Sequence, residues 1–109
     1  MEKSMLLETL GDTIENRILD FLIEGRGMDY GKKDIADGCD VSRPTIYKIL
    51  PKLLQSGEIK TTRKIGRITF YSINIDNDRV KVLLKLEKLL LKESFASAEK
   101  TNASTVVSS

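Results

Sequence analysis

Residues 42–57 read SRPTIYKILPKLLQSG, and this stretch decides the fold. Ile46, Ile49, Leu50, Leu53 and Leu54 recur at helical spacing, while Arg43, Thr45, Lys48 and Lys52 fall on other faces. A helix with that pattern buries one side and offers the other to a polyanion. Ser42 is a good N-cap. Pro44 falls in the first turn, where its missing N–H costs nothing. Pro51 is the awkward residue, because a proline inside a helix loses one backbone bond and clashes with the preceding turn, at about 3 kcal/mol or more. The apolar spacing continues through Leu53 and Leu54, so the sequence predicts a kink over residues 47–51 and no stop. Residues 43–48 become a reading half and residues 50–54 an anchoring half.

Upstream, residues 31–38, GKKDIADG, predict a short helix with Ile35 and Ala36 facing inward, and residues 38–41 form a tight connection. Two short helices so linked make a helix-turn-helix. Before them, Asp12 with Glu15 three residues later reads as a capping box that opens the first main helix. Ile14, Ile18, Phe21 and Leu22 give that helix a buried stripe, which Leu19 and Ile23 widen. It ends at Gly25 and Gly27, residues suited to left-handed cap and turn conformations. Residues 5–10 form a short apolar helical turn or arm that Gly11 interrupts, and residues 28–30 suit a short edge strand.

Downstream, the period changes from 3.6 to 2. EIKTTRK and RITFYSIN are rich in β-branched and aromatic residues on either side of Ile65-Gly66, which predicts a hairpin. Tyr71 and Ile73 share one strand face, Ile68 and Phe70 the other. Arg63, Lys64 and Arg67 crowd the turn, where like charges repel unless an anion receives them. Polar residues 76–78 then cap a long last helix. Eight of its residues 80–91 are apolar, while Lys81, Lys85, Lys88 and Lys92 form one wet stripe. That is more apolar circumference than a surface helix on a small monomer buries. A second copy is the expected occupant, through Val80, Leu83, Leu84, Leu86, Leu90 and Leu91, in an isologous dimer. A heterologous partner or a membrane surface is the alternative. Beyond Phe95 the periodicity is lost, which predicts a disordered tail.

The composition sets the outer limits. With 109 residues, 40% of them hydrophobic, the chain can build one modest core and not two ordinary domains. The net charge of +2 conceals +6 over residues 42–67, where seven basic side chains face Glu58 alone, and −4 elsewhere. Cys39 is the single cysteine and there is no histidine, which excludes an internal disulfide, the usual zinc spacings and histidine-based catalysis. No glycine-rich phosphate loop or spaced carboxylate pair stands out, so neither an enzyme nor a cofactor or metal is expected. No run approaches the roughly 18–20 apolar residues of a membrane helix, and no signal-peptide architecture opens the sequence, which predicts a cytoplasmic protein.

IADGCDVSRPTIYKILPKLLQSGEI resembles the helix-turn-helix of winged-helix transcription regulators of the ArsR/MarR kind. Their usual form is Ile-Ala, two residues, Leu-Gly-Val-Ser, two residues, Thr-Val, then Leu and Gly-Leu-Ile. LETLGDTIENRILDFL resembles the ArsR-like lead-in helix, and with the hairpin the likeness covers residues 7–74. Three departures stand out. Cys39 replaces a buried leucine and reads as a small core residue. Asp40 replaces the turn glycine, and aspartate tolerates the left-handed region. The ArsR metal-binding Cys-x-Cys is absent, so metal sensing is not carried over.

The resemblance implies an α+β fold, mainly helical with a small sheet: an arm (1–10), a winged helix-turn-helix domain (11–75), a dimerisation helix (76–97) and a tail (98–109). It implies a regulator, expected to repress, that binds double-stranded DNA as a homodimer. Arg43, Thr45, Tyr47 and Lys48 are then expected in the major groove. Ser42, Lys52, Lys32 and Lys33 fit phosphates, and Arg63, Lys64 and Arg67 suit phosphates or the minor groove. A winged-helix protein-interaction module, RNA binding, and a DNA-organising or partition role use the same residues and remain the alternatives.

Overall fold

The computed structural model describes the backbone of residues 3–108 and the side chains of residues 3–96. In chain order the elements are α1 (Met5–Leu10), α2 (Ile14–Glu24), α3 (Lys32–Cys39), α4 (Arg43–Gln55), β1 (Ile59–Ile65), β2 (Ile68–Ile73) and α5 (Asp78–Ser108). Helix, turn, helix and hairpin follow in the expected order, and among the described residues no helix is long and apolar enough to cross a membrane.

Short polar side chains start the helices, though not always the expected ones. Ser4 caps α1 by accepting from the Leu7 amide, and its hydroxyl also donates to Asp20 Oδ1 at 2.7 Å, tying α1 to a carboxylate that is only 5% exposed. Thr13, and not Asp12, caps α2, accepting from the Asn16 amide at 3.1 Å. Asp12 is drawn aside by the Arg17 guanidinium, which engages both its carboxylate oxygens and holds its pKa below the usual range. Ser42 precedes α4 as expected, yet its hydroxyl pairs with Thr45 Oγ1 at 2.8 Å instead of accepting from the helix backbone.

The α2 stripe is shifted by part of a turn. Ile18, Leu19, Leu22 and Ile23 are buried, Phe21 is half-buried, and Ile14, expected inside, is exposed in the first turn. Gly25 does not adopt a left-handed conformation; a Cβ there would collide with the Tyr30 hydroxyl, so the site demands smallness. Gly38 serves in the same way, letting α3 meet the Phe21 ring of α2. Asp40, at φ 55°, takes the left-handed turn that its identity predicted.

Ile35, Ala36 and Cys39 of α3, Ile46, Leu50 and Leu53 of α4, Ile59, Tyr71, Ile73 and Val80 complete one core with α2. Each fully buried aliphatic contributes roughly 1.5–3 kcal/mol. Helix α4 runs through Pro51 unbroken. Pro51 is exposed, so the Tyr47 carbonyl deprived of its helical donor lies on the solvent side.

β1 and β2 pair antiparallel from Ile59↔Ile73 to Ile65↔Ile68 around the two-residue turn Gly66-Arg67, with an irregularity between Thr61 and Arg63. Tyr30 adds an isolated bridge to Tyr71, each amide donating to the other's carbonyl at 2.8 Å. This bridge is all that forms of the edge strand expected over residues 28–30. Asn77 caps α5, its side chain accepting from the Val80 amide at 3.2 Å. The side-chain amides of Asn74 and Asn77 donate to the Gly57 and Ser56 carbonyls, which fixes the start of α5 against the end of α4.

The 31 residues of α5 span about 46 Å at 1.5 Å per residue and give the molecule its 62 Å long axis. Val80, expected at a dimer interface, has no exposure because it fills the chain's own core. Leu83, Leu84, Leu86 and Leu90 pack partly on that core too, leaving Leu91 of the expected set exposed. The backbone remains helical to Ser108 where a disordered tail was predicted over residues 98–109, since a helix without Gly or Pro extends more easily than it nucleates. The side chains of that stretch, and residue 109, lie outside the described residues.

Candidate nucleic-acid interface

The first turn of α3, the first half of α4 and the beginning of β2 enclose a groove of about 480 Å³. Lys32, Lys33, Arg43 and Arg67 bring four cations to it from three elements, and Tyr47, Ile68, Thr69 and Phe70 supply most of the remaining wall. One carboxylate, Asp34, also lines it, and its Oδ2 accepts from the Gly31 amide at 3.2 Å at the start of α3. The groove is therefore electropositive with an apolar and aromatic floor.

Local chemistry explains how these residues converge. The Tyr30–Tyr71 bridge brings the start of α3 against β2, where Gly31 lies beside the Ile68 methyl group. The left-handed Asp40 then turns the chain so that α4 presents Tyr47 to the same space. Tyr47 is 55% exposed, and the Lys32 ammonium sits 4.7 Å from its ring centroid. Such a contact holds the tyrosine in place without using up the lysine's remaining donors.

Of the expected recognition residues, Arg43 and Tyr47 line the groove, whereas Ser42, Thr45, Lys48 and Lys52 lie outside it. Lys48 shares the outward face of α4 with Pro44, Tyr47 and Pro51, all exposed. Lys32 and Lys33 line the same groove as Arg43. On the wing, Arg67 reaches the groove and Lys64 is exposed beside it. Arg63 is exposed too but does not reach the groove, because Asp29 and the Phe70 ring hold it on the hairpin. Sequence reasoning missed Asp29, Ile68, Thr69 and Phe70 as neighbours of the site. No local spacing marks Asp29, whose partners are 33 and 34 residues away.

Cys39 is fully buried between α2 and α3, and its thiol donates to the Arg17 carbonyl at 3.5 Å. Burial pushes its pKa up to about 12, so it is a protonated core residue and no nucleophile. Glu24, near α5, is raised as well, by burial and by the neighbouring Asp20 and Glu87 carboxylates.

Helix-turn-helix, hairpin wing and basic groove together make this chain a winged helix-turn-helix protein. No family model matches it, and no curated protein does. Among solved structures it is similar to the S. aureus MepR–DNA complex, at 17% identity over 94% of this chain and 84% of that one, with a TM-score of 0.62. NadR in complex with 4-hydroxyphenylacetate gives 19% identity over 94% and 72% of the chains, with a TM-score of 0.62. The antimony-specific transcriptional repressor AntR gives 20% over 84% and 78%, with a TM-score of 0.59. At these identities the likeness establishes the fold, and the expected winged-helix architecture holds at that level.

Proposed function

We propose that this chain is a DNA-binding transcriptional regulator that represses from a near-palindromic duplex site as a cytoplasmic homodimer. The observation that carries the reading is the convergence of Lys32, Lys33, Arg43 and Arg67 on one groove beside an exposed Tyr47. Four cations from three elements repel one another unless a polyanion lies between them. That a protein of this fold is solved as a MepR–DNA complex, and another is a transcriptional repressor, supports it.

In this reading α4 enters the major groove. Arg43 reads a guanine edge in bidentate fashion, and Thr45, Tyr47 and Lys48 contact neighbouring bases. Lys32, Lys33, Lys52, Ser42, Lys64 and Arg67 hold phosphates, which set register without reading sequence. The dimer forms along α5, where Leu91 and Phe95 are 42% and 69% exposed and Leu91 shares a cleft with Met5 of α1. Two-fold symmetry then places half-sites about one helical turn, roughly 34–36 Å, apart.

Fluorescence anisotropy with a labelled duplex of random sequence tests the reading. Counting Lys32, Lys33, Lys52, Lys64 and Arg67 in two protomers, affinity falls by about 10⁵ as salt rises from about 50 to 200 mM. Binding that ignores salt, or no binding, refutes it and leaves the protein-interaction module as the better description of the fold.

A further inference from the structure

Arg63 stands in the basic wing, yet its charge is spent within the chain. Its Nε donates to Asp29 Oδ2 at 2.9 Å and its Nη2 to Asp29 Oδ1 at 3.1 Å, a two-pronged pair. Its guanidinium carbon lies 4.6 Å from the centroid of the Phe70 ring. The Thr62 hydroxyl donates to the same Asp29 Oδ2 at 2.6 Å. In a regular strand Thr62 and Arg63 would point to opposite faces. The register shift between Thr61 and Arg63 lets both address one carboxylate.

Asp29 directly precedes Tyr30, whose backbone pairs with Tyr71 of β2. Its side chain therefore reaches from the body across β2 to β1. Between them, the Tyr30 bridge and the Asp29 contacts hold both strands of the hairpin, and the angle at which its tip leaves the body is set there. Lys64 and Arg67 follow within four residues of Arg63, and Arg67 and Phe70 belong to the groove wall. The same carboxylate that neutralises Arg63 thus aims two cations that remain free of ion pairs among the described residues.

We propose that Asp29, acting through Thr62 and Arg63, is a positioning residue for nucleic-acid binding: it clamps the wing so that Arg67 lines the groove and Lys64 stands exposed near the wing tip, while Arg63 takes no phosphate. This rests on the DNA-binding reading above. It also reverses the expectation from charge alone. Asp29 is an anion beside a cationic surface, so its removal should tighten DNA binding if only electrostatics mattered. With the clamp, its removal loosens binding, because a wing that wanders must be ordered again at each encounter.

The test uses the full chain and a labelled random-sequence duplex, comparing wild type, Asp29→Ala, Arg63→Ala and the double variant. Each single variant should bind about tenfold more weakly. The double variant should be no weaker than either single one, since both remove the same contact. The salt slope of Arg63→Ala should match wild type. Melting temperatures should stay close together, because an exposed ion pair contributes little to global stability. Tighter binding by Asp29→Ala, additive losses, or an Arg63→Ala slope lower by about 0.9 per protomer would overturn the assignment. A wild type that binds no duplex overturns the functional reading, and Asp29's role in DNA binding with it. Hydrogen exchange separates the two failures. In free protein, Asp29→Ala should speed exchange of the wing amides and leave α2 to α4 unchanged, and identical wing exchange would show that there is no clamp.

Discussion

Replacing Arg67 by alanine should change the salt dependence of duplex binding by an amount that the structure fixes. Arg67 is the second residue of the β1–β2 turn, is exposed, lines the groove, and forms no ion pair among the described residues. Its charge is free to displace one counterion from one phosphate. Each phosphate neutralised adds about 0.9 to the slope of log affinity against log salt, so two protomers make the loss about 1.8. Across a fourfold salt range, from about 50 to 200 mM, the advantage of wild type over the variant shrinks about 12-fold, equivalent to roughly 1.5 kcal/mol. Anisotropy titrations at four or more salt concentrations resolve that change, on random and on selected duplexes alike. Parallel lines for wild type and Arg67→Ala would refute the phosphate contact, and a loss confined to one sequence would make Arg67 a base reader.

Arg43→Ala should weaken the selected site by about 1–3 kcal/mol and random duplex by less; equal losses on both would remove Arg43 from base recognition. Leu91→Glu should convert the dimer to monomer in analytical ultracentrifugation with the fold intact, because Leu91 is exposed where Leu86 packs on the chain's own core. A wild type already monomeric at about tens of micromolar contradicts the dimer. Cys39 should resist a thiol reagent in native protein near pH 8 and react once denaturant is added; stoichiometric native labelling contradicts its burial. The same thiol gives a pH dependence. Its folded pKa, about 12, lies above its ordinary value of 9.0, so above pH 9.0 the unfolded chain loses a proton that the folded chain keeps. Stability should then fall with rising pH, and stability that climbs through that range in Cys39-specific comparison with Cys39→Ala contradicts the sign.

The order of elements was legible because each rests on contacts close in sequence. The α4 stripe of Ile46, Leu50 and Leu53 and the turn aspartate at residue 40 are local patterns, and both formed as read, whereas burial along β2 does not alternate, since Ser72 is buried between Tyr71 and Ile73. The site was legible only in part. Arg43, Tyr47, Lys32 and Arg67 converge because the fold brings three elements together, and charge density alone pointed toward them. What failed was decided by competing partners, some near in sequence and some far. Thr13 replaced Asp12 as a cap because Arg17 competes for the Asp12 carboxylate. Arg63 is indistinguishable from Lys64 in sequence, yet a carboxylate 34 residues away claims it. Val80 matches the α5 apolar pattern as well as Leu91 does, but it lies in the first turn of α5, beside the core, whereas Leu91 lies farther along the helix.

The central claim is that the groove between α3, α4 and the wing reads duplex DNA in two symmetric copies. Selection of bound sequences from a random duplex library tests it most directly. The account predicts enrichment of a near-palindrome whose half-sites lie about one helical turn apart, lost with Arg43→Ala. A library recovered without enrichment, or an enriched site with no two-fold symmetry, would contradict it.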